Sequence, residues 1–231
     1  LTAVNFSQSL DITNTQESRF TENDSTISMS GNGGIKVSMT TVNSGFDYYI
    51  NDKNSLSFNV SYKPLLQNID LLSETLLSKE ETPLHTISAP MTNDYKSDET
   101  SLSLFYKKTF TNPVQELTGE ASYYNFGADE TNDFTNTRYL YNSDSVISTF
   151  ARTENTLNKR DYYSVKLNYV QPLGMSAKIE AGYQFYYQKM GYDFIINNED
   201  SDNLFEYAEF RNSVYGGITY NLKKVGLQAM L

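Results

Sequence analysis

The chain has 231 residues, with 28 acidic against 18 basic side chains and a net charge of −10. That balance argues against a nucleic-acid-binding face, and the absence of cysteine removes disulfides, thiol nucleophiles and zinc–thiolate centres. No stretch approaches the roughly 18 consecutive apolar residues of a membrane-crossing helix, but membrane strands carry a much weaker signal, because every second residue is polar.

Residues 1–13 read as a weak strand, followed by a polar stretch to about residue 34, where Gly31-Asn32-Gly33-Gly34 reads as a turn. It is not a phosphate-cradling loop, because neither a Lys-Ser/Thr pair nor a helix follows. Ile35, Val37 and Met39 then alternate with Lys36 and Ser38, and the apolar phase switches to Val42, Phe46, Tyr48 and Ile50. One inserted residue, a β-bulge between Thr40 and Asn43, would produce that switch. Asn51-Asp52-Lys53 reads as a turn. The return strand carries Leu56, Phe58, Val60 and Tyr62 on one face, with Phe58 opposite Phe46.

Residues 64–98 read as a long connection, with a short helix over residues 65–77 where apolar residues cluster. A strand pair spans residues 101–110 and 115–126 around Thr111-Asn112-Pro113-Val114. Residues 128–158 read as a second long polar loop, and 193–203 as an acidic third. The last pair covers 205–220 and the residues from 225, around Asn221-Leu222-Lys223-Lys224.

The clearest hairpin lies between the second and third loops. Tyr163, Val165, Leu167 and Tyr169 alternate with Ser164, Lys166 and Asn168; Ile179, Ala181, Tyr183, Phe185 and Tyr187 alternate with Lys178, Glu180, Gly182 and Gln184. Successive side chains point to opposite faces, so one face is apolar and the other polar. An unpaired turn at Pro172-Leu173-Gly174 sets Gln171 opposite Met175, Lys166 opposite Glu180, Asn168 opposite Lys178, Tyr163 opposite Tyr183 and Leu167 opposite Ile179. The strand after the turn runs to about residue 192, far beyond the usual 5–6 residues of a soluble strand and past the roughly 9–11 that cross a membrane.

Short turns near residues 52, 112, 173 and 222 therefore alternate with long polar loops, and hairpin follows hairpin with no helical crossover. The expectation is an all-β, antiparallel up-and-down meander of about nine strands. Residues 1–231 form a single segment of a transmembrane β-barrel with long external loops. Strand-like text at both ends suggests an excerpt of a longer barrel.

The phrases around Gly45-Phe46-Asp47-Tyr48-Tyr49-Ile50-Asn51-Asp52-Lys53, Leu167-Asn168-Tyr169-Val170-Gln171-Pro172-Leu173 and Phe205-Glu206-Tyr207-Ala208-Glu209 resemble the outer-membrane β-barrels of TonB-dependent-receptor-like proteins of Bacteroidota. So do Lys178-Ile179-Glu180-Ala181-Gly182-Tyr183, Val214-Tyr215-Gly216-Gly217 and Val225-Gly226-Leu227-Gln228. The resemblance covers about residues 31–231. It implies a large barrel in the bacterial outer membrane, normally with an N-terminal plug, a TonB box and often a carboxypeptidase-regulatory-like domain. None of these is in this chain. Its implied role is substrate binding and uptake. The implied partners are membrane lipid, a TonB-type energy-coupling protein, a surface lipoprotein and a small-molecule, glycan or peptide ligand, with no nucleic acid. It brings no catalytic residue, cofactor or metal, and the chain reads as a non-enzyme.

Individual residues carry little chemistry. His85, the one histidine, reads as a solvated loop residue. The acidic loops Asn197-Asn198-Glu199-Asp200-Ser201-Asp202-Asn203 and Asp129-Glu130-Thr131-Asn132-Asp133 offer oxygen ligands without EF-hand spacing and read as solvated loops. Lys166, Lys178, Glu180, Glu209 and Arg211 read as the paired charges of a hydrated lumen wall. Tyr162, Tyr163, Tyr186, Tyr187 and Tyr192 read as an interfacial girdle. Two other architectures compete: a soluble or surface-attached β-sandwich for adhesion, which would bury one face of each sheet, and a small closed barrel serving as an anchor or hydrolase.

Overall fold

The computed structural model describes residues 2–20, 24–197, 204–222 and 225–230. They form one antiparallel sheet of nine strands: β1 (Thr2–Phe20), β2 (Ser25–Asn51), β3 (Asn54–Lys79), β4 (Thr82–Thr109), β5 (Glu116–Leu140), β6 (Val146–Leu173), β7 (Ala177–Ile196), β8 (Phe205–Leu222) and β9 (Val225–Met230). Each strand pairs with its neighbours in sequence, so the sheet is an up-and-down meander.

No second sheet packs on the first, and no apolar side chain is buried among the described residues. The least exposed are polar, Asn93 at 5% and Ser97 at 8%. A β-sandwich would bury one whole apolar face, so that architecture is ruled out.

The apolar face is instead the exposed one. In β6, Tyr163, Val165 and Leu167 are exposed, while Ser164, Lys166 and Asn168 between them are half-buried. In water this inversion would be costly, at about 25 cal/mol for each Å² of apolar surface left wet. Against lipid tails it is favourable. The apolar row continues from strand to strand: Val60 pairs with Leu102, Leu102 with Tyr123, Tyr123 with Tyr163, Tyr163 with Tyr187 and Tyr187 with Phe210. Four residues nearer the short turns, Leu56, Tyr106, Gly119, Leu167, Tyr183 and Val214 form a parallel row. The next outward row beyond Tyr123 is polar, with Thr100, Asn125, Asp161 and Lys189. The result is an outward apolar belt of the kind that membrane barrels carry.

Beyond the belt the strands continue, and here several expectations fail. Residues 64–98 are not a loop and contain no helix. β3 and β4 run through them to a turn at Glu80 and Glu81, whose φ values are 50° and 65°. Residues 128–158 likewise belong to β5 and β6, with a turn at 141–145, and β7 extends to Ile196. Polar residues sustain these extensions because both strand edges are hydrogen-bonded along their length. Gly31-Asn32-Gly33-Gly34 lies inside β2 rather than in a turn. A Cβ on Gly33 would collide with the Asp70 carbonyl and the Leu71 side chain. Of the turn expected at Asn221-Leu222-Lys223-Lys224, Asn221 and Leu222 belong to β8, and residues 223–224, like the acidic segment 198–203, lie outside the described residues.

The bulge between Thr40 and Asn43 is also absent. Met39 pairs with Leu65 and Val42 with Tyr62, one unbroken register. The register shift falls lower, between Tyr49 and Asn51. The alternation of β2 is therefore regular, and what inverts is the apolar side. In the belt the outward residues Val42, Phe46 and Tyr48 are apolar. Above it the inward residues Ile35, Val37 and Met39 are, alongside Ile69 and Leu65 of β3. The surroundings change where the strand leaves the membrane, and the pattern follows.

The hairpin of β6 and β7 keeps its predicted faces but not its predicted register. Gln171 lies opposite Ile179, Leu167 opposite Tyr183, Lys166 opposite Gln184 and Tyr163 opposite Tyr187, a displacement of four residues. Pro172 and Leu173 belong to the strand, and the turn is carried by Gly174 with φ of 69°.

Candidate ligand path on the inner wall

The half-buried polar face lines the inside of the sheet. At the level of the aromatic row, the wall is stripped to small side chains. Gly45, Asn59, Ser103, Ser122 and Ser164 follow one another across β2 to β6. The adjacent row holds Asn43, Ser61, Ser101, Tyr124 and Tyr162. All of these except Ser164 outline a hollow of about 550 Å³. Gly45 admits Asn59, whose Oδ1 would clash with any Cβ there. Ser122 and Ser164 Oγ atoms are hydrogen-bonded at 2.7 Å.

Charged and aromatic groups border the hollow. Lys63 donates to Glu99 at 2.7 Å, and Tyr124 Oη donates to the other Glu99 oxygen at 3.4 Å. Lys63 stands beyond the belt, and its hydrogen bond and charge interaction with Glu99 raise its pKa. Arg160 lies 5.7 Å from the Phe126 ring centre. Tyr162 meets Tyr186 edge-on at 4.8 Å, and Arg211 lies 5.8 Å from the Tyr186 ring. The wall thus offers hydroxyl, amide and aromatic contacts, with the Lys63 and Glu99 charges held as a pair.

Lys166, Lys178, Glu180, Glu209 and Arg211 all occupy this face, as expected. Lys178 pairs with Glu180, and Glu209 with Arg211, each along its own strand. The anticipated Lys166–Glu180 and Asn168–Lys178 pairings do not form, because Lys166 faces Gln184 and Asn168 faces Gly182. The tyrosine girdle divides by parity. Tyr163 and Tyr187 point outward, ring centres 6.0 Å apart, with Tyr123 4.8 Å from Tyr163. Tyr162, Tyr186 and Tyr192 share the inner face and are not part of it.

Residues 129–133 form part of β5, not a loop. Glu130 and Asn132 turn inward and each accepts a hydrogen bond from Asn93 Nδ2 at 2.6 Å, whereas Asp129, Thr131 and Asp133 occupy the outward rows. Alternation therefore prevents them from converging on one cation. His85 belongs to β4, with Nδ1 buried. The hollow itself was missed in the sequence. Its signal was the run of small polar residues at every second position, Ser55, Ser57, Asn59 and Ser61, repeated at Ser101 and Ser103.

Residues 108–229, more than half of the chain, match the family described as outer membrane protein β-barrel. No curated protein sequence matches the chain. Among solved structures, the unliganded ferric citrate transporter FecA is similar at 9% identity and a TM-score of 0.36, covering 99% of this chain and 41% of that one. The siderophore receptor PiuA from Acinetobacter baumannii is similar at 6% identity and 0.32, covering 94% and 46%. The alcaligin receptor FauA from Bordetella pertussis is similar at 13% identity and 0.31, covering 96% and 41%. The chain spans less than half the length of each of these receptors.

Proposed function

The chain belongs to the outer membrane protein β-barrel family and resides in the outer membrane, and from that premise we propose that it forms part of a TonB-dependent-receptor-like wall that binds a ligand and passes it inward. The observation that carries this reading is the inversion of the sheet: apolar residues outside, and inside a hydrated wall with a 550 Å³ hollow. A barrel serving only as an anchor would have no need of a stripped wall, and its interior would be filled by side chains. The short turns lie at the periplasmic end and the long extensions project from the cell. The chain performs no chemistry of its own. Active uptake would require a TonB-type partner, and the ligand class includes small molecules, glycans and peptides.

The test is ligand uptake by cells making the protein, with and without an active TonB partner. Ser122→Trp would fill the hollow from the middle of the wall. Uptake should fall in that variant while the protein still folds and reaches the outer membrane. Unchanged uptake through the blocked wall would remove the proposed path.

A further inference from the structure

Near the far tips of β4 and β5, two nitrogen-bearing side chains lack partners. Arg138 Nε and His85 Nδ1 are both buried without a hydrogen bond. Neither residue takes part in an ion pair or side-chain hydrogen bond among the described residues. Ile87 pairs with Arg138, and His85 with Leu140. His85 and Arg138 thus occupy diagonal positions on the inner face, about 7–8 Å apart.

Two other arginines of this wall have counter-ions, Arg152 with Glu154 and Arg211 with Glu209, while Arg160 lies against the Phe126 ring. Among the described residues, Arg138 has no counter-ion on its face. Its inner neighbours are Ile87, Ser148 and, beside His85, Leu77. The nearby carboxylates are turned elsewhere. Glu74 lies on the outward row, and Glu80, Glu81 and Asp144 lie at the turns. The Arg138 Nε–H, hidden from solvent without an acceptor, leaves a hydrogen bond unmade that an anion would supply.

We propose that Arg138 and His85 form an oxyanion-binding site on the inner wall, near the outer mouth, for a ligand bearing a carboxylate or phosphate. The guanidinium fork binds such groups through two parallel hydrogen bonds, and the imidazole adds a third donor from across the diagonal. The proposal rests on the reading of this face as the inside of a ligand-conducting wall. It gives that wall its first contact and a charge preference unlike the protein's own net negative charge.

His85 is the chain's one histidine, so its ring is a built-in reporter. The experiment follows the His85 ring signals by NMR, for the protein in detergent micelles, while inorganic phosphate or succinate is added. Sodium chloride at matched ionic strength is the control, and His85→Gln identifies the signal. A saturable shift with phosphate or succinate is expected, and which of them acts identifies the anion class. Arg138→Gln should weaken it at least about tenfold, and Arg152→Gln should leave it unchanged. Should Arg138→Gln not fold, Arg138→Lys retains the charge without the fork and should weaken binding less. Shifts no greater than with chloride, or a saturable shift equally strong in the Arg138 variants, would overturn the site. Binding is read at equilibrium, so loss of uptake with an intact titration would count against transport alone, and the reverse result against the site alone.

Discussion

Tyr215 of β8 crosses over Gly182 of β7 and places its hydroxyl on the Asn168 side-chain oxygen of β6. Three strands are joined by one side chain. Gly182 makes this possible, because a Cβ at that position would fall within the Tyr215 ring. Glycine normally weakens a strand interior; here the aromatic ring covers the space it leaves.

Gly182→Val should therefore expel Tyr215 from its seat and destabilise the sheet by more than the loss of the hydrogen bond. Tyr215→Phe, which keeps the ring, should cost only about 0.5–1.5 kcal/mol. Urea unfolding of the detergent-folded protein compares the two. A valine variant no less stable than the phenylalanine variant would show that the ring is not seated on Gly182.

Spin labels test the faces directly. Labels at Leu167 and Ile179 should meet a lipid-soluble relaxant, and labels at Lys166 and Glu180 a water-soluble one. Water access at all four positions, or the opposite pattern, would defeat the lipid-facing assignment. For the same reason, Leu167→Arg should cost about 2–4 kcal/mol near the middle of the bilayer, measured by folding into lipid vesicles, whereas Lys166→Leu should be far milder.

Tyr163 stands between Tyr123 and Tyr187. Each ring pair contributes about 0.5–1.5 kcal/mol beyond area burial. A double-mutant cycle of Tyr163→Ala with Tyr187→Ala should give a coupling within that range. The same cycle between Tyr162 and Tyr187, which lie on opposite faces, should give none.

The Lys63–Glu99 pair predicts a specific pH response. Glu99 raises the Lys63 pKa in the folded protein, so the stabilisation is fully present below the unfolded lysine value of about 10.4. It is lost as pH rises through the higher folded value. Both side chains are partly exposed, so the effect should be small and salt-sensitive. Glu99→Gln should remove that alkaline loss, seen as a melting temperature that changes less between pH 9 and 11.5. An unchanged alkaline loss would mean that other groups cause it.

The alternation of Tyr163, Val165 and Leu167 with Ser164, Lys166 and Asn168 was enough to establish a two-faced strand, and the turn residues Asn51-Asp52-Lys53 and Thr111-Asn112-Pro113-Val114 were enough to place the turns near 52 and 112. Face assignment is local, because a strand's period is set by its own backbone. Register is not local. Moving β7 along β6 by four residues leaves every side chain on its original face, so the pattern cannot separate Gln171 opposite Met175 from Gln171 opposite Ile179. The paired backbones decide it. Strand length was concealed in the same way. Residues 64–98 look like a connection with a short apolar helix and residues 128–158 like a polar loop, but their peptide groups are satisfied by the neighbouring strands, and no single segment displays its neighbour. The sequence of β2 also showed an apolar phase change at Thr40, whose cause only the assembled sheet reveals: an unbroken strand passes from lipid into water, and the side that benefits from being apolar changes with it.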